Sequence, residues 1–415
     1  ITSALESNIG LNAIAHYALA IVITKCAPFQ RPVAVFAAGR FRILNLHVKE
    51  GYFLTEHTFY MQRAIALAKR GCGKTNPNPM VGAVIVKGHR IIGEGWHVQY
   101  GALHAERHAL ANCTESPEGA TLYVTLEPCC HYGKQPPCTE AVIQSGIKTV
   151  YVGSRDPNPL VAGKGIQQLR DAGITVYTDF LRKECDAINP IFFHYITTKR
   201  SYCIVKYAMT MDGAIACGNG ASKWVTGEVA RNDVQQTRKT VAAILVGIQT
   251  VLADDPLLTC RIDPACNPVR IVCDSHLRIP LTSKLVQTAK DVPLIVMTCS
   301  DDQERIQALQ QKNVTVCVLP ADETGRPAFS AILQKIGALK LDSVLIEGGA
   351  SIHASALKTG LVQQVQVYLA PKCFGGDGLS PIAPLGVTDP MQAISFSAPT
   401  VTPLGQDIRL DYFAK

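Results

Sequence analysis

Charge is scarce in this chain: 18% of its 415 residues are Asp, Glu, Lys or Arg, aromatics make up 7%, and there are two tryptophans. Hydrophobic residues reach 47%, so the pairing of low hydrophobicity with high net charge that marks disordered chains is excluded. No long Lys/Arg run and no basic stripe interleaved with aromatics accompanies the formal charge of +7. A nucleic-acid track is therefore not expected, while small phosphorylated ligands remain compatible. A membrane-length apolar run is missing too. The most apolar N-terminal stretch, Leu11 to Ile23, is broken by Asn12 and His16 and stops at Lys25, short of the roughly 20 residues a spanning helix needs. It carries neither a basic n-region nor a convincing cleavage site, and it has little Ser and no amphipathic Arg face. Neither membrane association nor a transit peptide is expected. Cysteine, by contrast, is abundant. The fifteen cysteines are scattered and odd in number, unlike a secreted disulfide framework, which predicts a reducing, cytoplasmic setting.

At about 150 residues per domain the length implies two or three domains. The first well-formed helix is predicted over 59–70 (FYMQRAIALAKR), with Thr58 as N-cap and Gly71 as stop. MVGAVIVKGHRIIGEG then reads as two strands joined by a turn near Lys87 to His89. HAERHALANC, CTEAVIQSG and GKGIQQLRDAG read as helices, alternating with the strands TLYVTL, TVYVGS and ITVY. This alternation predicts a largely parallel sheet covered on both faces. It pauses at NPIFFHYITTKRS, taken as a junction, after which SYCIVKYAM, VAAILVG, VRIVCDS, PLIVMTC, VTVCVLP and SVLIEGG supply six apolar strands for a second α/β domain.

The strongest chemical signal is His104-Ala105-Glu106, followed by Glu127-Pro128-Cys129 and Pro136-Pro137-Cys138. One imidazole and two thiolates make three zinc ligands with a fourth position left for water, the pattern of a catalytic rather than a structural site. Glu106, two residues past the first ligand, is placed to carry a proton from that water to a departing amine. The order H-x-E, strand, P-C, then C follows the signature of zinc deaminases. Taken singly these residues would be an ordinary surface histidine and buried thiols; the pattern in its strand–helix context favours the metal. Cys130 and His108 read as bystanders.

Most nucleoside, nucleotide and tRNA deaminases space the two cysteines as C-x-x-C, whereas eight residues, CHYGKQPP, separate them here. With TNPNPMVGAVIV, HAERHAL, YVTLEPCCHYGKQPPCTEAVI and DPNPLVAGKG, this half resembles the bifunctional deaminase–reductases of riboflavin biosynthesis, and the resemblance covers residues 56–415. It implies a cytidine-deaminase-like three-layer domain over 56–198 and a dihydrofolate-reductase-like α/β domain over 199–415. The first would hydrolyse an amino group from diaminohydroxyphosphoribosylaminopyrimidine using zinc on His104, Cys129 and Cys138, with Glu106 moving the proton. Asn78 would contact the pyrimidine, although Asn-Pro pairs are also ordinary turn formers. A nucleotide or tRNA deaminase fused to a reductase-like domain is the rival reading.

In the second half, SVLIEGGASIHASAL is an apolar strand, a Gly-Gly turn and a helix, where backbone N–H groups could meet a phosphate. Alone that is a weak signal. KYAMTMDGAIA, SKWVTG, ARNDVQQTRKT, ILVGIQTVLADDPLLTCR and RIVCDSHLRIP resemble the reductase half of the same family. That resemblance implies NADPH contacts at Ala208, Trp224, Thr250, Asp254, Ser275 and the run Gly349, Ala350, Ser351, Ile352, His353, Ala354 and Ser355. It implies substrate contacts at Ser222, Arg238, Leu258, Arg261 and Glu347. Arg238 and Arg261 suit a phosphate, which guanidinium forks bind bidentately; Trp224 is either core or a flat partner for the nicotinamide. The expected ligand is a small phosphoribosylated pyrimidine, with no nucleic acid or membrane partner, and homo-oligomerisation stays open. Residues 1–55 match nothing in the family. They are read as an unassigned extension, either upstream sequence translated in frame, with Leu54 at a non-AUG start, or a genuine N-terminal addition.

Overall fold

The computed structural model describes residues 56–415 except 134 and 264–265, together with the backbone of two short antiparallel strands, Val35–Ala37 and Arg40–Arg42. The expectation for residues 1–55 otherwise lies outside the described residues. Helix Glu56–Ala68 buries Tyr60, Met61, Ala64, Ile65, Leu67 and Ala68, an apolar stripe at helical spacing. It starts three residues before the predicted start, with Glu56 in its first turn and Thr58 inside it, and tightens into a 3-10 turn at Lys69–Gly71.

The first sheet has five strands in the spatial order Arg90–Trp96, Gly82–Lys87, Thr121–Leu126, Thr149–Ser154 and Thr175–Tyr177. Gly82–Lys87 runs antiparallel to both its neighbours and the remaining pairs are parallel. The largely parallel sheet expected for this half is thus a mixed one, because the tight turn after Lys87 folds the first two strands as a hairpin. Alternation along Gly82–Lys87 sends Val84 and Val86 towards helix Glu56–Ala68, and Ala83 and Ile85 towards the layer containing Ala105, Ala109, Val142, Ile166 and Leu169. The result is three layers. Helix and sheet approach so closely at Gly82 that a Cβ there would lie 2.0 Å from the Ala64 carbonyl oxygen.

The stretch taken as the junction holds a helix. Proline sits in the first turn of a helix, Pro190–Thr198, whose Phe192 is buried. Tyr195 donates to the Gly337 carbonyl at 3.3 Å, so this helix belongs to the packing of both sheets.

The second sheet has nine strands, ordered Val314–Val318, Leu294–Thr298, Val269–Cys273, Ala243–Gly247, Ser343–Gly348, Tyr202–Thr210, Gln364–Ala370, Asp407–Phe413 and Thr400–Leu404. The first seven are parallel, and Asp407–Phe413 runs antiparallel to both its neighbours, Gln364–Ala370 and Thr400–Leu404. All six predicted strands are present, and three further ones complete the edge. Both faces are covered: Leu245, Ile271 and Ile346 pack with Phe329, Ile332, Ile336 and Leu357, while Ile244, Val246 and Val272 pack with Val251, Leu285, Ile306 and Leu309. After Ala243–Gly247 the chain moves to one side of the sheet, to Val269–Cys273; after Ser343–Gly348 it moves to the other, past Tyr202–Thr210 to Gln364–Ala370. Such a reversal opens a crevice at the carboxyl ends of the two strands. Among the described residues no helix is long and apolar enough to cross a membrane.

Gly82→Ala should lower stability by about 1–3 kcal/mol, the cost of overpacking a rigid contact, read as a reduced denaturant midpoint. An unchanged midpoint would mean that helix Glu56–Ala68 shifts freely on the sheet.

Candidate functional sites

His104 is the N-cap of helix Ala105–Ala111, Cys129 follows strand Thr121–Leu126, and Cys138 opens helix Cys138–Gln144. The fold brings all three together. The Sγ atoms of Cys129 and Cys138 each lie 3.4 Å from His104 Nδ1, and the three ligand atoms are all within 4.8 Å of one another. A nitrogen and a sulfur sharing one tetrahedral zinc would be about 3.5 Å apart, so the donor set fits the ion in both chemistry and spacing. Cys129 is pulled far below the usual thiol range, to about 4, by a hydrogen bond with Cys138 and, against the effect of burial, by another with His104. Cys138 also donates its backbone N–H to the Cys129 sulfur at 3.4 Å. Cys130 turns away, with its thiol against the Leu160 carbonyl at 3.7 Å. His108 packs on Trp96, with ring centroids 5.0 Å apart. Both behave as bystanders.

Glu106 is buried in the first turn of the same helix. Burial pushes its carboxyl above the ordinary range, and the Cys129 charge pushes the same way. Above these residues lies a cleft of about 330 Å³ whose walls include Asn78, His97, His104, Glu106, Cys129 and Asp156. Asn78 closes a turn, its N–H donating to the Thr75 carbonyl at 2.8 Å, and it also lines the cleft. His97 was missed in the sequence. Its Nδ1 must donate to the Leu103 carbonyl at 3.1 Å, and burial lowers its pKa. The neutral ring therefore presents Nε2 as an acceptor to the Asn78 amide nitrogen at 3.4 Å. Glu127 stands beside the cysteine loop and accepts from the N–H groups of Gly163 at 3.1 Å and Ile166 at 3.2 Å, fixing the loop that carries Asp156 and Asn158.

In the second half Glu347 ends the strand Ser343–Gly348 and pairs bidentately with Arg238, at 2.7 and 2.8 Å. Arg238 also donates to the Thr259 carbonyl at 2.9 Å. The fork expected to take a phosphate therefore holds Glu347. Burial alone would raise the Glu347 carboxyl, but the Arg238 charge, its hydrogen bonds and then Lys206 outweigh burial and hold it below the usual range. Lys206, in the middle of strand Tyr202–Thr210, is depressed by burial and raised by Glu347. A lysine inside the apolar run SYCIVKYAM was a legible signal, since a buried cation requires a carboxylate. Arg261 is exposed but close enough to act on Glu347 electrostatically.

Gly349 caps helix Ala350–Lys358 with φ +90° and ψ 120°, a conformation open to glycine. A Cβ there would face open space. The run 349–355 divides by face. His353 is buried and donates to the Pro381 carbonyl at 2.9 Å, Ala354 is buried, and Ile352 lies beneath Gly247, which leaves the first turn facing outward. Thr250 packs directly against Gly348, its Oγ1 2.7 Å from where a Cβ would stand, Ser275 follows strand Val269–Cys273, and Asp254 pairs with Lys223 at 3.3 Å. Ser222 is exposed and Trp224 is 61% exposed, with Arg231 over its ring at 4.6 Å. Trp224 is thus no core residue. Ala208 is half-buried against Tyr368, and Leu258 is buried in the core with φ +54°, which leaves its backbone for any ligand contact.

Two family models match the chain: the cytidine and deoxycytidylate deaminase zinc-binding region over residues 54–154 and the RibD C-terminal domain over 201–408. The riboflavin biosynthesis protein RibD of Actinobacillus pleuropneumoniae is 53% identical over 354 residues, 85% of this chain and 94% of that protein. RibD of Escherichia coli is 36% identical over 365 residues, 85% of this chain and 98% of that protein. A solved diaminohydroxyphosphoribosylaminopyrimidine deaminase/5-amino-6-(5-phosphoribosylamino)uracil reductase from Thermotoga maritima matches with a TM-score of 0.77 at 37% identity, covering 87% of this chain and 99% of that one. RibD from Acinetobacter baumannii matches with a TM-score of 0.78 at 38% identity, covering 87% and 99%. With both halves matched and these relatives covered almost end to end, the chain belongs to the RibD family of riboflavin biosynthesis, bifunctional enzymes that join a zinc-dependent deaminase to an NADPH-dependent reductase.

Proposed function

We propose that His104, Cys129 and Cys138 hold the zinc, that Glu106 carries the proton, and that the substrate is diaminohydroxyphosphoribosylaminopyrimidine, the compound named for the Thermotoga maritima relative. The observation that carries this reading is the meeting of three ligand atoms beside a buried carboxylate on the floor of one cleft. Zinc bound there supplies a Lewis acid that brings the pKa of a water towards neutrality. Glu106, ionised before the attack, receives a proton from the attacking water and returns it to the leaving amine; burial raises its pKa and so makes its carboxylate the stronger base for that step. Asn78, its amide nitrogen committed to His97, keeps its oxygen to accept from the amino-bearing edge of the pyrimidine. Deamination thus occupies residues 56–198 and reduction 199–415, a division supported by the two separate sheets.

In the second half the nicotinamide cofactor is assigned to the crevice at the reversal of strand order. Gly349, Ala350 and Ser351 offer the pyrophosphate a helix N-terminus, and Thr250, Asp254 and Ser275 line the neighbouring strand ends. Glu347, already fixed by Arg238, retains lone pairs for ribose hydroxyls, and the half-buried Lys206 near it provides a donor. Trp224 and Ser222 approach from the surface loop. Hydride transfer needs no protein nucleophile, so the role of these side chains is to bind and orient. The described cysteines are all free thiols, which supports a cytoplasmic location.

Glu106→Gln should keep stoichiometric zinc and lose about 10²–10⁴-fold in deamination rate, the usual worth of a general acid–base, with reduction of pre-deaminated substrate unchanged. Near-normal deamination would remove Glu106 from the mechanism. Gly349→Val, forced into a φ that valine avoids, should raise the KM for NADPH at least about tenfold while deamination continues. A normal KM would place the cofactor at another strand end.

A further inference from the structure

The loop that carries Asn78 is not held by the deaminase half alone. Residues 71–78 run against the last turn of helix Glu228–Thr240 in the reductase half. At Gly73, with φ +75°, the two backbones are so close that a Cβ would lie 2.2 Å from the Lys239 carbonyl oxygen. Three residues on, the Asn76 amide nitrogen lies 3.0 Å from each oxygen of the Asp342 carboxylate and 3.4 Å from the Thr240 carbonyl. Among the described residues, every hydrogen bond of the Asn76 side chain runs to the reductase half.

Asp342 is built to hold this contact. It is 2% exposed, its carboxylate accepts the Ser343 hydroxyl at 2.7 Å, and its carbonyl accepts the Tyr202 N–H at 2.7 Å. It is thereby fixed between two neighbouring strands of the nine-stranded sheet, and it grips from the other half a loop whose own anchors are the Tyr100 N–H on the Lys74 carbonyl at 2.9 Å and His97 on the Asn78 amide at 3.4 Å. Asn78 closes a turn onto Thr75, one residue before Asn76, and beyond it Met80 is clamped by Asn189, whose amide donates and accepts at 2.9 and 2.8 Å. Asn76 lies inside that turn, two residues from Asn78, so a displacement of Asn76 moves the Asn78 side chain in the cleft.

We propose that Asp342, through Asn76, is a positioning residue for deamination: a carboxylate of the reductase half sets the place of the pyrimidine-contacting loop in the other half. The proposal rests on the reading that Asn78 binds the pyrimidine. It gives the fusion of the two halves a physical role beyond tethering, since the deaminase cleft is completed by a side chain outside its own domain.

The test is steady-state kinetics on the full chain. Asp342→Ala and Asn76→Ala should each raise the deamination KM about tenfold, the worth of one hydrogen bond to a charged group, with kcat within a factor of about two. The double variant should be no worse than either single one, because both remove the same contact. Zinc content and the reductase kinetics with pre-deaminated substrate and NADPH should be those of the parent. Asn78→Ser is run in parallel. If it leaves KM unchanged, the reading of Asn78 falls and takes the proposal with it; if it raises KM while Asn76→Ala does not, the proposal alone falls. Asn76→Ala, in a half-buried loop, decides the matter if Asp342→Ala does not fold. Additive losses in the double variant, or equal losses in both activities, would mean general destabilisation and overturn the proposal.

Discussion

A sheet covered on both faces leaves one place for polar chemistry, the carboxyl ends of its parallel strands, and both proposed sites of this chain lie at such ends. Strand Thr121–Leu126 delivers Glu127 and Cys129, and Thr149–Ser154 delivers Asp156, at the rim of the first sheet. Strands Ala243–Gly247 and Ser343–Gly348 deliver Thr250, Glu347 and Gly349 at the point where the second sheet reverses its order. Everything apolar is used to hold these ends still. Ile85, Val124 and Val152 pack on one face of the first sheet, and Leu245 and Ile346 on one face of the second.

The two sites manage buried charge in opposite ways. Among the described residues no cationic side chain is bonded to Glu106 in the deaminase cleft. Its carboxyl is pushed up by burial and by the neighbouring thiolate, the condition for a group that must take and release a proton. In the reductase half Glu347 is flanked by Arg238 and Lys206 and is held down, the condition for a fixed acceptor that orients a sugar. Both carboxylates are buried beside the end of a strand or the start of a helix, and their surroundings push the pKa of Glu106 up and that of Glu347 down.

Much of this was legible before any coordinates. The zinc triad could be read because His104, Glu106, Cys129 and Cys138 sit at spacings tied to one helix start, one strand end and a second helix start. The six central strands of the reductase half were legible as apolar runs, as fully buried strands are. The three strands at the other end of that sheet were not read, although Gln364–Ala370 and Asp407–Phe413 carry the polar–apolar alternation of half-buried strands; Thr400–Leu404 contains Pro403. Helix Pro190–Thr198 was read as a junction because its aromatics serve both sheets and show no single apolar face. His97 and Asp342 were hidden for a related reason. Each acts through a partner distant in sequence, Asn78 at 19 positions and Asn76 at 266, and no local pattern announces such pairs.

The central claim is that one chain performs two steps in a fixed order at two separate sites. It is tested most directly by giving the zinc-loaded protein diaminohydroxyphosphoribosylaminopyrimidine with and without NADPH and identifying the products by mass. Without NADPH the deaminated, unreduced compound should accumulate, and with it the reduced ribityl product should appear only after deamination. A reduced product that still carries the amino group, or no deamination in the absence of NADPH, would contradict the account.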